Sequence, residues 1–221
     1  MARFEDLPQD VLGRIGEASG TPVLKFVNVA GRACASARPF PVRRLATAAQ
    51  IDWALAMGCP AHDVCSTLAA AGMSEALVRA WEAGCPLDAK TCSRAARDGH
   101  LDVLRWARAV GCPWDSWTCA NAAEGGHLDV LKWARAAGCP WDGWTCMYAA
   151  RGGHLETLKW ARLQGYRWCG MTCMYAARGG HLETLKWARS AGCPWGYTCR
   201  YASQGGHQSV LTWAREQGCP S

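Results

Sequence analysis

The chain has 221 residues, 24 basic against 18 acidic for a formal charge of +6, and half of them are hydrophobic. No apolar run approaches the roughly 18 residues needed to cross a bilayer, and positions 1–10 lack a secretory signal, so a soluble cytoplasmic chain with no membrane partner is expected. Charges of both signs are interleaved, which disfavours nucleic acid as the partner, and the 14 cysteines recur at fixed steps, which points to packing rather than to disulfides.

The first 40 residues follow no repeat. Leu7-Pro8-Gln9-Asp10-Val11-Leu12-Gly13-Arg14-Ile15 predicts a helix with proline in its first turn and Leu7, Val11, Leu12 and Ile15 on one face. After Gly20-Thr21-Pro22, a second helix is predicted from Val23 to Arg32. The Leu-Pro, acidic, Leu, Ile series running to Val29-x-x-Arg32 resembles an F-box, although the aromatic residue usual after that region is missing. The resemblance implies recruitment of the Skp subunit of a cullin-RING ubiquitin ligase through Leu7, Pro8, Val11, Leu12 and Ile15. The same two helices equally suit an N-terminal cap, which any stacked array needs to shield its first apolar face.

Residues 41–60 contain half a repeat, Ile51-Asp52-Trp53-Ala54 leading to Gly58-Cys59-Pro60. Residues 61–85 form a degenerate unit with Met73 and Arg79 where later units carry histidine and tryptophan, and 86–221 hold five strong units. Their period is 27 residues, linking His100, His127, His154 and His181, with one deletion before His207. Self-similarity on this scale predicts a solenoid in which each unit buries its apolar face only by stacking on the next.

Each unit reads as two helices. Thr118-Cys119-Ala120-Asn121-Ala122-Ala123 predicts a short first helix, with Thr118 as its cap and Gly125-Gly126 as its stop. The second helix runs from His127 with Leu128, Val130, Leu131, Trp133 and Ala134 on one broad apolar face, and stops at Gly138 before Pro140. Acid–base pairs three apart, such as Glu156 with Lys159, belong on the solvated side.

The alanine pair, the Gly-His junction and the Leu-Asp/Glu-x-Leu-Lys-Trp-Ala run together resemble the ankyrin repeat. The unit is about six residues shorter than the usual repeat of about 33. The deficit falls between Gly138 and Thr145, so a tight turn replaces the usual projecting hairpin and no strand is expected. The expected fold is an all-α, ankyrin-like solenoid of helical hairpins with shortened turns, headed by the cap or F-box. An F-box joined to short units of this kind resembles proteins of large DNA viruses and algae, which would place it in the cytoplasm of a host cell.

The resemblance also implies a binding face formed by residues flanking the alanine pair. These are Arg94, Asn121, Tyr148, Tyr175 and Tyr201 before it, and Arg97, Glu124, Arg151, Arg178 and Gln204 after it. Among the turn tryptophans, Trp117 and Trp144 are candidate contacts, while Trp114, Trp141, Trp168 and Trp195 are candidates of the same class that regular spacing would also wedge between units. Trp106, Trp133, Trp160, Trp187 and Trp213 fall in the core pattern.

A catalytic site needs a constellation of unlike groups, whereas the histidines and the six Cys-Pro dipeptides form columns of identical ones. Equivalent cysteines of successive units lie about 10 Å apart, too far to share a metal ion or a disulfide. Neither an enzyme, a cofactor nor a metal is expected; the expected partner is a protein of unknown identity.

Overall fold

A computed structural model describes residues 61–165 and 170–220 of the protein, so the F-box-like residues, the half repeat at 41–60 and Trp168 lie outside the described residues. Twelve helices and no strand are found among the described residues. They alternate as first and second helices: α1 (Ala61–Ala70) and α2 (Ser74–Glu82), α3 (Ala89–Arg97) and α4 (Leu101–Ala109), α5 (Ser116–Gly125) and α6 (Leu128–Ala136). The series continues with α7 (Trp144–Gly152) and α8 (Leu155–Leu163), α9 (Gly170–Gly179) and α10 (Leu182–Ser190), α11 (Thr198–Gln204) and α12 (Gln208–Glu216). The expected helical-hairpin solenoid is the observed fold, and Cys139 to Gly143 makes a connection without strand.

Both helices of a unit end in the same way. At the end of α4, Gly111 is left-handed, its N–H donates to the Arg108 carbonyl, and the Cys112 N–H reaches back to the Ala107 carbonyl. At the end of α5, Gly126, Ala123, His127 and Ala122 repeat that pattern. These paired bonds satisfy carbonyls that a helix end would leave bare. Helix starts differ from the sequence expectation. Thr118 is not the cap of α5: Asp115 is, its carboxylate accepting the Trp117 N–H at 3.1 Å. Asp88 likewise caps α3 in a capping box with Thr91. A carboxylate just ahead of the first turn takes the free N–H groups, and Thr118 turns inward, fully buried.

First helices pack directly against one another in chain order, while each second helix sits mainly on its own first helix. Alanine makes this possible. Ala95, Ala96, Ala122, Ala123, Ala149 and Ala150 are fully buried between first helices and let their backbones approach closely. The second helices lie beneath this first-helix row. Under it, Leu104, Leu131, Leu158 and Leu185 are fully buried, each worth about 1.5–3 kcal/mol relative to exposure.

Histidine joins one unit to the next. His100 Nε2 lies 3.1 Å from the Ala70 carbonyl, His181 Nε2 2.8 Å from that of Arg151, and His207 Nε2 2.9 Å from that of Arg178. All three carbonyls belong to the last turn of the preceding unit's first helix. The ring fits because the neighbouring residue has no side chain: a Cβ on Gly153, at φ +77°, would stand 2.3 Å from His181 Nδ1. The same shape persists at Gly206, φ +73°, where nothing lies within 4 Å of that position.

Outer faces carry the expected ion pairs where the acid is glutamate, at 2.7 Å for Lys159–Glu156 and 2.8 Å for Lys186–Glu183. Asp102, a shorter acid, instead accepts from Ser74 Oγ of the preceding unit at 2.9 Å.

Glycine at 153 therefore answers two constraints and glycine at 138 only one. Gly138 is also left-handed, at φ +81°, but faces open space. Gly138→Ala should cost about 1–2 kcal/mol of backbone strain. Gly153→Ala should cost at least about 2 kcal/mol more, because the His181 ring must leave its seat. Urea unfolding midpoints of the two variants measure the difference.

Candidate functional site

The first helices present three rows of side chains at the repeat period. The row nearest their N-terminal ends holds Lys90, Trp117, Trp144, Met171 and Tyr197, all exposed. Trp117 and Trp144 are 44% and 38% exposed, Met171 37% and Tyr197 68%, which is high for large apolar groups. The sequence reading selected the two tryptophans and passed over Met171 and Tyr197. The signal was present: 27 residues beyond Trp144 is Met171, and 26 beyond that is Tyr197.

The middle row contains Arg94, Asn121, Tyr148, Tyr175 and Tyr201, all half-buried. Arg94 is tied into the framework, its Nη1 donating to Ser66 Oγ at 2.9 Å and to Thr67 Oγ1 at 3.4 Å in the preceding unit. Tyr148 and Tyr175 stack with centroids 6.4 Å apart and planes 21° from parallel. The third row, at the C-terminal ends, holds Arg97, Glu124, Arg151, Arg178 and Gln204, of which Glu124 alone is half-buried and the rest exposed.

Contacts join the rows into one surface. Trp117 and Trp144 lie 5.8 Å apart, and each meets Tyr148, at 5.7 and 6.2 Å. The Arg151 guanidinium lies 5.7 Å from the Tyr148 ring centroid and 3.3 Å from Glu124 Oε1. Glu124 is shared with Arg97 at 3.7 Å. Helix-borne side chains that brace one another in this way lose little freedom when a partner arrives, which is what a contact surface needs.

The remaining turn tryptophans go elsewhere. Trp114, Trp141 and Trp195 pack against the core and meet Trp133, Trp160 and Trp213 at 5.8–5.9 Å. Each is covered by an arginine from the preceding second helix: Arg108 over Trp114 at 4.2 Å, Arg135 over Trp141 at 4.0 Å and Arg189 over Trp195 at 4.1 Å. The same arginines donate to the carbonyls of Cys112, Cys139 and Cys193, so one side chain ties a helix end, a turn and a ring. Trp106 and Trp187 also pack against the core, half-buried.

The cysteines among the described residues are free and buried, but the geometry adds a pairing within units. Cys92 in α3 and Cys112 in the turn after α4 have sulfurs 3.5 Å apart, and the same 20-residue step relates Cys119 to Cys139 and Cys173 to Cys193. Cys112 Sγ also donates to the Asp88 carbonyl at 3.3 Å, and Cys139 Sγ to that of Asp115 at 3.4 Å. Donation to the Cys112 sulfur, with burial, pushes the Cys92 thiol up, while Cys112 is lowered by receiving it. Burial takes Cys65 up to about 12. Raised thiols such as Cys65 and Cys92 are poor nucleophiles at neutral pH. Among the described residues no group of three or more His, Cys, Asp or Glu could hold a metal ion, and no helix is long and apolar enough to cross a membrane.

Comparison with known proteins places this geometry. No family model matches the chain, and no curated protein sequence matches it. Among solved structures, 133 chains match in fold. One is the human ASB11 ankyrin repeat domain, with a TM-score of 0.54 and 14% sequence identity over 71% of this chain and 84% of that one. At that identity the likeness concerns the fold, an ankyrin-like stack of helical hairpins.

Burial lowers the pKa of His181 from its ordinary 6.5; the bond to the Arg151 carbonyl opposes this, and His154 and His207 on either side add to it. The unfolded chain therefore binds the proton more tightly than the folded one. The contribution is complete above pH 6.5 and is lost as the pH falls through 6.5 and then the lowered folded value. The urea midpoint should fall between about pH 7.5 and about pH 5.5, and fall less in a His181→Gln variant.

Proposed function

We propose that the protein is a binding scaffold that engages a protein partner across its first-helix face. The observation that carries this reading is the unbroken surface from Trp117 and Trp144 through Tyr148 to Arg151, Glu124 and Arg97, half-exposed yet braced by its own contacts. Aromatic and arginine side chains of this kind dominate the energetics of protein interfaces. Their partner-facing positions are those the ankyrin resemblance selects, and the fold likeness supports the transfer. The buried, raised thiols and the histidines bonded to backbone carbonyls are spent on the framework.

The N-terminal resemblance extends this reading to a substrate adaptor of a cullin-RING ubiquitin ligase. Leu7, Pro8, Val11, Leu12 and Ile15 would bind a Skp-type subunit while the array holds the substrate. Support comes from the Leu-Pro and Val-x-x-Arg pattern alone, and retention of Skp by the full chain, lost in a Leu7→Ala/Leu12→Ala/Ile15→Ala variant, is the test. A chain that does not retain Skp is a plain binding module.

Proximity labelling with the intact chain and with a Tyr148→Ala/Arg151→Ala/Tyr175→Ala/Arg178→Ala variant tests the binding face itself. Truncation of each contact should cost about 1–2 kcal/mol of affinity. Partners of the intact chain should be lost from the variant, with its helical content unchanged. Recovery of the same partners by both would remove the first-helix face from consideration. Binding to single-stranded nucleic acid that falls steeply with added salt would replace the protein partner with a polyanion.

A further inference from the structure

Building on the reading of the first-helix face as a protein-binding surface, we propose that its partner is an acidic amphipathic helix lying along the array, across successive units. Its apolar stripe rests on the row of Trp117, Trp144, Met171 and Tyr197, and its carboxylates meet Arg97, Arg151 and Arg178.

Spacing supports a helix. Trp117 and Glu124 mark the apolar and charged rows on α5 and are seven residues apart, so the rows run about 10 Å from each other. That is the diameter of one α-helix with its side chains. Successive units stack at about 8–10 Å, and a helix advances about 10.5 Å in seven residues, so apolar residues at heptad spacing meet one member of the row per unit. An extended strand is too narrow to cover both rows at once.

Charge selects the sign. Arg97 and Arg151 share the single carboxylate of Glu124, which is 13% exposed between them, while their own side chains are 58% and 46% exposed. Arg178 is exposed and has no ion-pair partner among the described residues. Three guanidiniums against the carboxylates of Glu124 and Asp98 leave this edge positive, most clearly at Arg151 and Arg178, and an incoming acidic flank is attracted to it. Nucleic acid fits less well. Glu124 interrupts the row where a phosphate backbone would run, and Trp117 and Trp144 already lean on each other at 5.8 Å, leaving no gap for a base between them.

Selection of a displayed library of helical peptides on the full chain tests the proposal. Peptides rich in Asp and Glu, with apolar residues seven apart, should emerge. Their affinity should fall at least tenfold on Arg178→Glu, which leaves the Glu124 cluster untouched, and a similar amount on Trp144→Ala. Selection on an Arg97→Glu/Arg151→Glu/Arg178→Glu variant with unchanged helical content should yield basic peptides instead. Selected peptides that need Trp144 but carry no acidic bias would overturn this inference and leave the protein-binding face standing. Failure to select any peptide, or peptides indifferent to Trp144→Ala, would overturn this inference, while the proximity-labelling comparison decides the protein-binding face on its own. Displacement of the selected peptides by a single-stranded oligonucleotide that binds more tightly at low salt would overturn the proposal in favour of nucleic acid.

Discussion

The seat that one unit offers to the imidazole of the next is the constraint on which the array depends. At the end of a first helix the chain turns through a left-handed glycine, and the ring of the following unit occupies the volume a Cβ would fill. Its Nε2 then bonds to a carbonyl that the helix itself cannot satisfy. Position and hydrogen bonding are settled together, so the contact fixes the register between units as well as holding them. The preceding glycine serves the same approach: a Cβ on Gly152 would stand 2.3 Å from the Glu124 carbonyl one unit back. Adjacent glycines, costly in an isolated helix, thus suit the close approach at Gly125-Gly126, Gly152-Gly153 and Gly179-Gly180, although Asp98 stands in the first of these places ahead of Gly99.

Fixed register turns a one-dimensional repeat into a two-dimensional surface. Because each unit is displaced from the last in the same way, residues one period apart fall into rows, and the rows can differ in chemistry while the framework stays constant. Beneath the surface, alanine, leucine and cysteine recur with little variation. Above it, Lys90 gives way to tryptophan, methionine and tyrosine along one row, and Arg97 to glutamate and then arginine along another. Variation confined to exposed positions of a rigid scaffold is the pattern expected of recognition.

Much of this was legible in the sequence, since the period, the paired helices, the Gly-His junction and the absence of strand all follow from residues that recur. What escaped depended on distances within a unit or between neighbouring units. Cys92 and Cys112 are 20 residues apart, and no local pattern announces that helix and turn bring their sulfurs to 3.5 Å. Trp114 and Trp117 looked like members of one class. The start of α5 separates them, sending Trp114 beneath Arg108 and Trp117 into solvent, and that start is set by Asp115 rather than by the threonine the sequence suggested. Of the candidate contacts, Arg94 proved to be bonded into the preceding unit, a role invisible without Ser66 and Thr67 beside it. The exposed row is half visible in the sequence, because tryptophan marks it at 117 and 144 while Met171 and Tyr197 continue it with other residue types.

Gly206 adopts the left-handed turn although no ring rests on it. The shape belongs to the hairpin that makes it, held by that hairpin's own helix-ending hydrogen bonds. A module whose second helix opens with histidine therefore carries a receptacle on one side and a matching key on the other, while the module with Met73 in that place carries the receptacle alone. Gene segments encoding such modules can be duplicated, lost or exchanged by recombination without re-engineering the joints, so the length of the recognition surface is free to drift while its construction is not.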